Sequence, residues 1–496
     1  MNHLVAVFHD RTRSKPPVPA LAAASIVLSL LAILFGLVAV TTSPILVALA
    51  AASLVGAALL VRPVWLMWMI FVLGLLVVGV IRIWIEGTYS KMVWGVSLLG
   101  FAVLILVLFR AATTKGVTRG TPGFVWAALA FLLYAILNGL AHSDNAYEFL
   151  SGFKRYFQVV GLLFAFTWLG LDKHTVAKWR KLFLFVALVQ LPWATYELLW
   201  LVPIREGTRF LYPGMVPIDV VAGTFGANMT EGGANGEMAA FLIIMLVFLL
   251  ARLRDHDLSK KRLAWLSPII IAPLFMGETK AVVVMLPLAF LTLYRRELLA
   301  RPHVALAGLA VGALLTVAAG QAYLSITKKN LDALVAETLS YNVYERGYGG
   351  YKLNRTTVLS FWAGQQGPHD PAGALFGHGL GSAHDMTGGR MAHRYPGYGI
   401  SLTAASVLLW EQGTFGTGLF LAILALAWRE AGRIYRSSPE SWISVDADAI
   451  QATIPLFVFF LFYRTTLLES LPIEIVFYTL LGYLAWLGRR ASCDKA

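Results

Sequence analysis

Apolar runs of about twenty residues, each cut by a short polar or basic stretch, recur along the whole chain, and that is the length a helix needs to cross a bilayer. Roughly fourteen such segments can be drawn by that criterion. Their approximate cores are 19–41, 43–61, 64–84, 92–109, 123–141, 156–171, 181–202, 235–251, 263–276, 281–294, 302–321, 399–427, 451–463 and 471–488. The pair around residue 277 also reads as one long broken helix. Lipid offers no water to unpaired peptide groups, so the pattern predicts an all-α, polytopic transmembrane helical bundle. A single transmembrane domain over 19–490 lies between tails at 1–18 and 491–496, with long polar loops at about 203–234 and 322–398.

Composition strengthens this reading: 58% of the 496 residues are hydrophobic and only 14% are charged, more apolar surface than one soluble core can bury. The +13 formal charge is mainly a topology signal, because Lys and Arg beside a span resist translocation. With the N-terminus inside, the cytoplasmic segments collect Arg11 to Lys15, Arg62, Arg110 to Arg119, Lys173 to Lys181, Arg252 to Arg262, Arg295 to Arg301, Arg429 to Arg436 and Arg489 to Lys495. Both tails are then cytoplasmic, both long loops lie outside, and no nucleic-acid partner is implied. The first apolar stretch is too long for a cleaved signal peptide and is followed at once by another, so it is expected to act as its own insertion signal. The lone Cys493 excludes a disulfide framework and a thiolate metal site. The sequence contains neither a Walker-type loop nor a dinucleotide fingerprint.

Candidate chemistry therefore sits in the outer segments, where long irregular loops tend to be sites or lids. The first loop carries Arg205, Arg209, Asp219 and Gly223-Thr224-Phe225-Gly226-Ala227-Asn228, and re-enters the membrane at Asn235-Gly236-Glu237. In the second are Tyr341, Tyr344, Arg346, Tyr348, Tyr351, Lys352, Asn354, Arg355 and Trp362, then Phe376-Gly377-His378-Gly379-Leu380-Gly381-Ser382 and His384-Asp385. Rings beside Arg and Asn suit a glycan surface, because they stack on pyranose faces while amides reach hydroxyls. The same aromatics also suit an interfacial belt. Gly277-Glu278-Thr279-Lys280 interrupts the apolar stretch from Leu263 to Leu293; charges at such depth face a cavity or a partner, or pair with each other in a tight turn. Lys154, Arg155, Arg464, Glu469 and Glu474 either line the same cavity or anchor helix ends by snorkelling.

The order of these landmarks, continued through Trp410-Glu411-Gln412-Gly413 to Gly416, resembles the O-antigen ligase and Wzy-type polysaccharide polymerase superfamily over about residues 150–430. The resemblance implies a multi-pass protein of the bacterial inner membrane, its active site facing the periplasm, that takes a glycan from undecaprenyl diphosphate and passes it to an acceptor hydroxyl. It implies no nucleotide sugar, no cofactor and no metal, and it implies membrane lipids, a chain-length regulator and a flippase as partners. For such a transfer, Arg205 or Arg209, Lys280 and Arg355 suit a clamp on the leaving diphosphate. His378, His384 or Glu278 suit the base, and Tyr341, Tyr344, Tyr348, Tyr351 and Asn354 suit the glycan. Two departures stand out. Ligases commonly carry Arg where this chain has Lys280, and their His-Asn pair before the Glu-x-Gly motif is replaced here by Ser401-Leu402-Thr403. The expected activity is therefore polymerisation of repeat units, with O-antigen ligation onto a lipid A core as the alternative and a polysaccharide or lipid flippase as the second.

Overall fold

The computed structural model describes residues 62–142, 145–212, 215–303, 350–438 and 440–493, with single positions at 332, 336, 339 and 347. The expected spans 19–41 and 43–61, and all but the start of 302–321, lie outside the described residues, as do Tyr341, Tyr344 and Tyr348. Two compact units divide the chain, Met1–Leu66 and Met67–Ala496. The described part of the first is only 62–66, the start of one helix, and the remaining architecture belongs to the second.

The helices are α1 (Pro63–Trp84), α2 (Glu86–Thr113), α3 (Gly123–His142), α4 (Ala146–Phe157), α5 (Gly161–Trp168), α6 (Lys173–Leu211), α7 (Asn235–Arg254), α8 (Lys260–Met276), α9 (Val282–Leu293), α10 (Ala404–Ser437), α11 (Ser441–Tyr463) and α12 (Leu471–Cys493). Among the described residues the only strands are Ala227–Asn228 and Gly232–Gly233, a two-residue antiparallel pair. Eight of the helices are long and apolar enough to cross a membrane: α1, α2, α3, α6, α7, α10, α11 and α12. Three expected spans fall on shorter pieces. The segment 156–171 breaks at Gln158–Val160 between α4 and α5, and α8 and α9 are 17 and 12 residues long, separated by the turn at Gly277–Lys280.

The centre is α12, whose apolar window is wholly buried. Around it pack α5, α10 and α11; α3 lies against α10, and α7 and α9 lie against α11. Within a bilayer every backbone group needs an internal partner, and the starts of α6 and α10 are capped by side chains. The Asp172 carboxylate accepts from Thr175 N, and Thr403 and Ser406 cap each other reciprocally at the head of α10.

Two π-segments, Leu73–Val77 in α1 and Glu197–Leu201 in α6, serve one purpose. A π-turn withdraws backbone groups from the regular ladder, and the Leu75 carbonyl released in α1 accepts from Thr224 Oγ1 at 2.7 Å. From α6, Glu197 Oε2 accepts from Ala222 N (2.9 Å) and Gly223 N (2.7 Å). Two turns earlier, Gln190 donates to Thr224 Oγ1 (2.7 Å) and accepts from Thr224 N (2.9 Å). The Gly223–Asn228 loop thus lies buried between α1 and α6. Gly79 permits that approach, because a Cβ there would run into the backbone of Thr224 to Gly226. Since α6 continues to Leu211, the loop expected from about residue 203 begins only there. In the second long loop lie short helices at Thr357–Gln366, Pro371–Phe376 and Arg390–Arg394.

Charge separates along the bundle. At the end formed by the tail of α10 and the head of α11, Asp446 and Asp448 are buried on α11. Asp446 meets Arg180 (2.7 Å) and Arg252 (3.0 Å); Asp448 meets Arg254, Arg295 (2.8 Å) and Arg296 (3.4 Å). The opposite end, at the head of α10 and the tail of α11, carries the described parts of the long loops.

Candidate functional site

At the loop end, α10 contains Gly413 at φ 64°, ψ −171°, in the left-handed half of conformational space where an L side chain is strained. The kink leaves the preceding carbonyls without helical donors, and the 377–381 loop supplies new ones. His378 N donates to Trp410 O and Gly379 N to Glu411 O, both at 2.9 Å. Asn138 of α3 also donates to Glu411 O (2.8 Å), and the Tyr134 hydroxyl donates to Gln412 O (3.2 Å). The loop is therefore laced into the broken helix, which carries the next residues, Ser382 to His384, over the Glu411 side chain.

There His384 stands between two carboxylates. Its Nδ1 is 3.0 Å from Glu469 Oε1, and its Nε2 is 3.7 Å from Glu411 Oε1, which also accepts from Ala383 N at 3.3 Å. Glu411 is completely buried. Arg155 Nε lies 3.8 Å from Glu469, and the Tyr156 ring on the next position brings its hydroxyl beside Glu411. Burial works against the charge of Glu469, but the facing His384 and Arg155 together hold its carboxyl at about 2, well below the ordinary range. Beneath this layer Gln158 donates to Glu474 and, at 3.4 Å, to Glu469 O.

Beside the Tyr156–Glu411 contact, several polar atoms in this cluster are buried without a hydrogen-bond partner: His384 Nε2, Arg155 Nη1, Gln412 Nε2 and Glu474 Oε2. Buried polar groups in a structural core are usually satisfied, so this concentration makes the cluster the candidate site.

A second group adjoins it through the α11–α12 connection, where Arg464 and Glu469 are five residues apart. Arg464 lies 3.6 Å from Glu237 at the head of α7, and its carbonyl accepts from Ala404 N at the head of α10. With Arg205 and Lys280 it surrounds Asp219; burial raises the Asp219 carboxyl above its ordinary range, against the pull of Arg464, Arg205 and Lys280 in that order. Lys280 is exposed, and Glu278 is half-buried with φ 44° in the turn between α8 and α9.

The remaining sequence-derived candidates are dispersed. Arg205 is fully buried and donates to Asn228 O (2.8 Å) and Val216 O (3.0 Å), so it also ties down its own loop. Arg209 is exposed beside Glu206 at 3.7 Å. Arg355 Nε donates to Tyr463 O (2.7 Å) next to Arg464, with its guanidinium over the Tyr463 ring. Asn354 is buried and caps Thr356 and Thr357; Tyr351 is exposed. His378 sits on the far side of its loop, with Nε2 2.8 Å from Gln366 Oε1 and 3.8 Å from Asp370. Burial pushes its imidazole down to about 4 despite Asp370. Sequence reasoning missed Tyr156 and Gln158, which follow closely on Lys154 and Arg155, and Gln190 and Glu197, whose signal was an isolated polar side chain inside an apolar run.

Among the described residues no group of three or more His, Cys, Asp or Glu is placed to hold a metal ion. The arrangement is suited to proton transfer at His384 and to binding an anion near Arg464. No family model matches the chain, and no curated protein matches it either.

Proposed function

We propose that the chain is a polytopic glycosyltransferase of a bacterial inner membrane, with about fourteen spans and its site facing the periplasm, that polymerises polysaccharide repeat units carried on undecaprenyl diphosphate. The observation that carries this reading is His384, buried between Glu469 and Glu411 with an unpartnered Nε2, with Arg155 facing Glu469. In the reaction the bond between the anomeric carbon and the diphosphate oxygen breaks, and a bond from the acceptor hydroxyl oxygen to that carbon forms. The hydroxyl proton passes to His384 Nε2, and Glu469 on Nδ1 stabilises the resulting imidazolium. Charge developing on the departing diphosphate is met by Arg464 and Lys280, with Arg355 alongside. The lipid tail remains between helices while the glycan lies in the loop region. A chain-length regulator and a flippase are the partners such a cycle requires.

The test is a reaction in vesicles containing only polyprenyl-diphosphate repeat units. A ladder of products supports polymerisation. Transfer that begins only when a core-lipid acceptor is added reassigns the protein as a ligase, and translocation with unchanged glycan length makes it a transporter.

A further inference from the structure

At the end of the bundle remote from His384, a cavity of about 480 Å³ opens between the head of α3 and the tail of α10. Arg429, Arg433 and Arg436 line it together with Glu430, Gln451, Phe124, Leu426 and Trp428. Arg429 and Arg436 differ from the arginines around Asp446 and Asp448, which are held by buried carboxylates. Arg433 is paired with Glu430 at 2.5 Å. Arg429 and Arg436 have no carboxylate within ion-pair distance among the described residues; the only bond from Arg436 runs to its own helix, at Gly432 O. Two guanidinium groups without counter-ions thus line a cavity whose remaining lining is mixed, with Phe124, Leu426 and Trp428 beside Gln451 and the Arg433-paired Glu430. Below it, the membrane-directed faces of α3 and α10 expose Trp126, Leu133, Phe415 and Leu421.

We propose that this cavity binds the phosphate headgroup of an anionic phospholipid, with Arg429 and Arg436 as its ligands and the acyl chains lying along the exposed faces of α3 and α10. Guanidinium forks match phosphate oxygens in pairs, and basic recesses between membrane helices attract anionic headgroups. The exposed strip distinguishes a lipid from a free anion, since inorganic phosphate would leave Trp126, Leu133, Phe415 and Leu421 uncovered. The assignment does not depend on the reaction proposed above.

Lipid retention by the purified full chain tests it, read by native mass spectrometry and by melting temperature in detergent supplemented with phosphatidylglycerol, phosphatidylcholine or inorganic phosphate. The wild type is expected to keep phosphatidylglycerol and to melt higher with it than with phosphatidylcholine. In Arg429→Gln/Arg436→Gln, retention should fall roughly tenfold or more and the melting difference should vanish. Arg429→Lys/Arg436→Lys, which preserves charge and fold, should retain part of both. Removing equal charge elsewhere at the same end, with Lys260→Gln/Lys261→Gln, should change neither. An equal shift with inorganic phosphate, or equal losses in the two neutralised pairs, would overturn the proposal.

Discussion

A single imidazole can serve as structure or as chemistry, and three features of His384 favour chemistry. One nitrogen is fixed by a carboxylate, the other is buried without a partner, and an arginine faces the fixing carboxylate. Glu469→Gln and Glu411→Gln should each lower turnover by about tenfold or more, because each removes part of the field that orients and stabilises the imidazolium. Unchanged turnover in both, with purified folded protein, would detach His384 from the carboxylates in mechanism. His378 is the contrasting case. Its folded value of about 4 lies below the ordinary 6.5, so the neutral ring contributes stability that is complete above pH 6.5 and is lost as the pH falls toward 4. Melting temperature should therefore decline over that window, and less steeply in His378→Gln. The dependence of turnover on pH between about 5 and 8 should be the same in His378→Gln as in the wild type, and a displaced acid limb would place His378 in the reaction.

At the scale of elements, the structure depends on places where helices stop being regular. The π-turns of α1 and α6 hold the Gly223–Asn228 loop, and the Gly413 kink in α10 admits the 377–381 loop. Glu197→Ala would orphan the buried Ala222 and Gly223 amides, at a cost of roughly 1–3 kcal/mol for each. Glu197→Gln keeps an acceptor and should recover most of the loss. Thermal unfolding compares them, and equal melting temperatures for the wild type and Glu197→Ala would show that the loop is held some other way. Such places are only partly legible in a sequence. The re-entry at Asn235, the break at 277–280 and most long spans follow directly from hydropathy and turn residues. The π-turns leave no trace in an apolar run, and α8 and α9 look like spans because apolar content was clear while helix length was not. The pairing of His384 with Glu469 joins residues far apart in sequence through a folded kink, which periodicity does not encode; the two appeared in the sequence only as separate polar landmarks in outer segments.

At the scale of the whole molecule, the polar chemistry of the described residues is divided between two ends. Asp446 and Asp448 draw five arginines together at one end, while His384, Glu411, Glu469 and Arg464 gather at the other. The distribution of Lys and Arg along the chain anticipates that division. Reporters fused at Val117 or Leu258 should read cytoplasmic, and those fused within 215–230 or 350–390 should read external; a cytoplasmic signal from 350–390 would invert the map and place the site on the wrong side for a periplasmic donor. The role of His384 as the base is tested by comparing wild type with His384→Ala in vesicles loaded only with polyprenyl-diphosphate repeat units, both shown to be folded by their melting temperatures. If His384 takes the acceptor proton, the wild type yields a product ladder and the variant loses at least about a hundredfold in rate, the usual scale for removing a general base. Equal ladders from the two proteins would contradict that role.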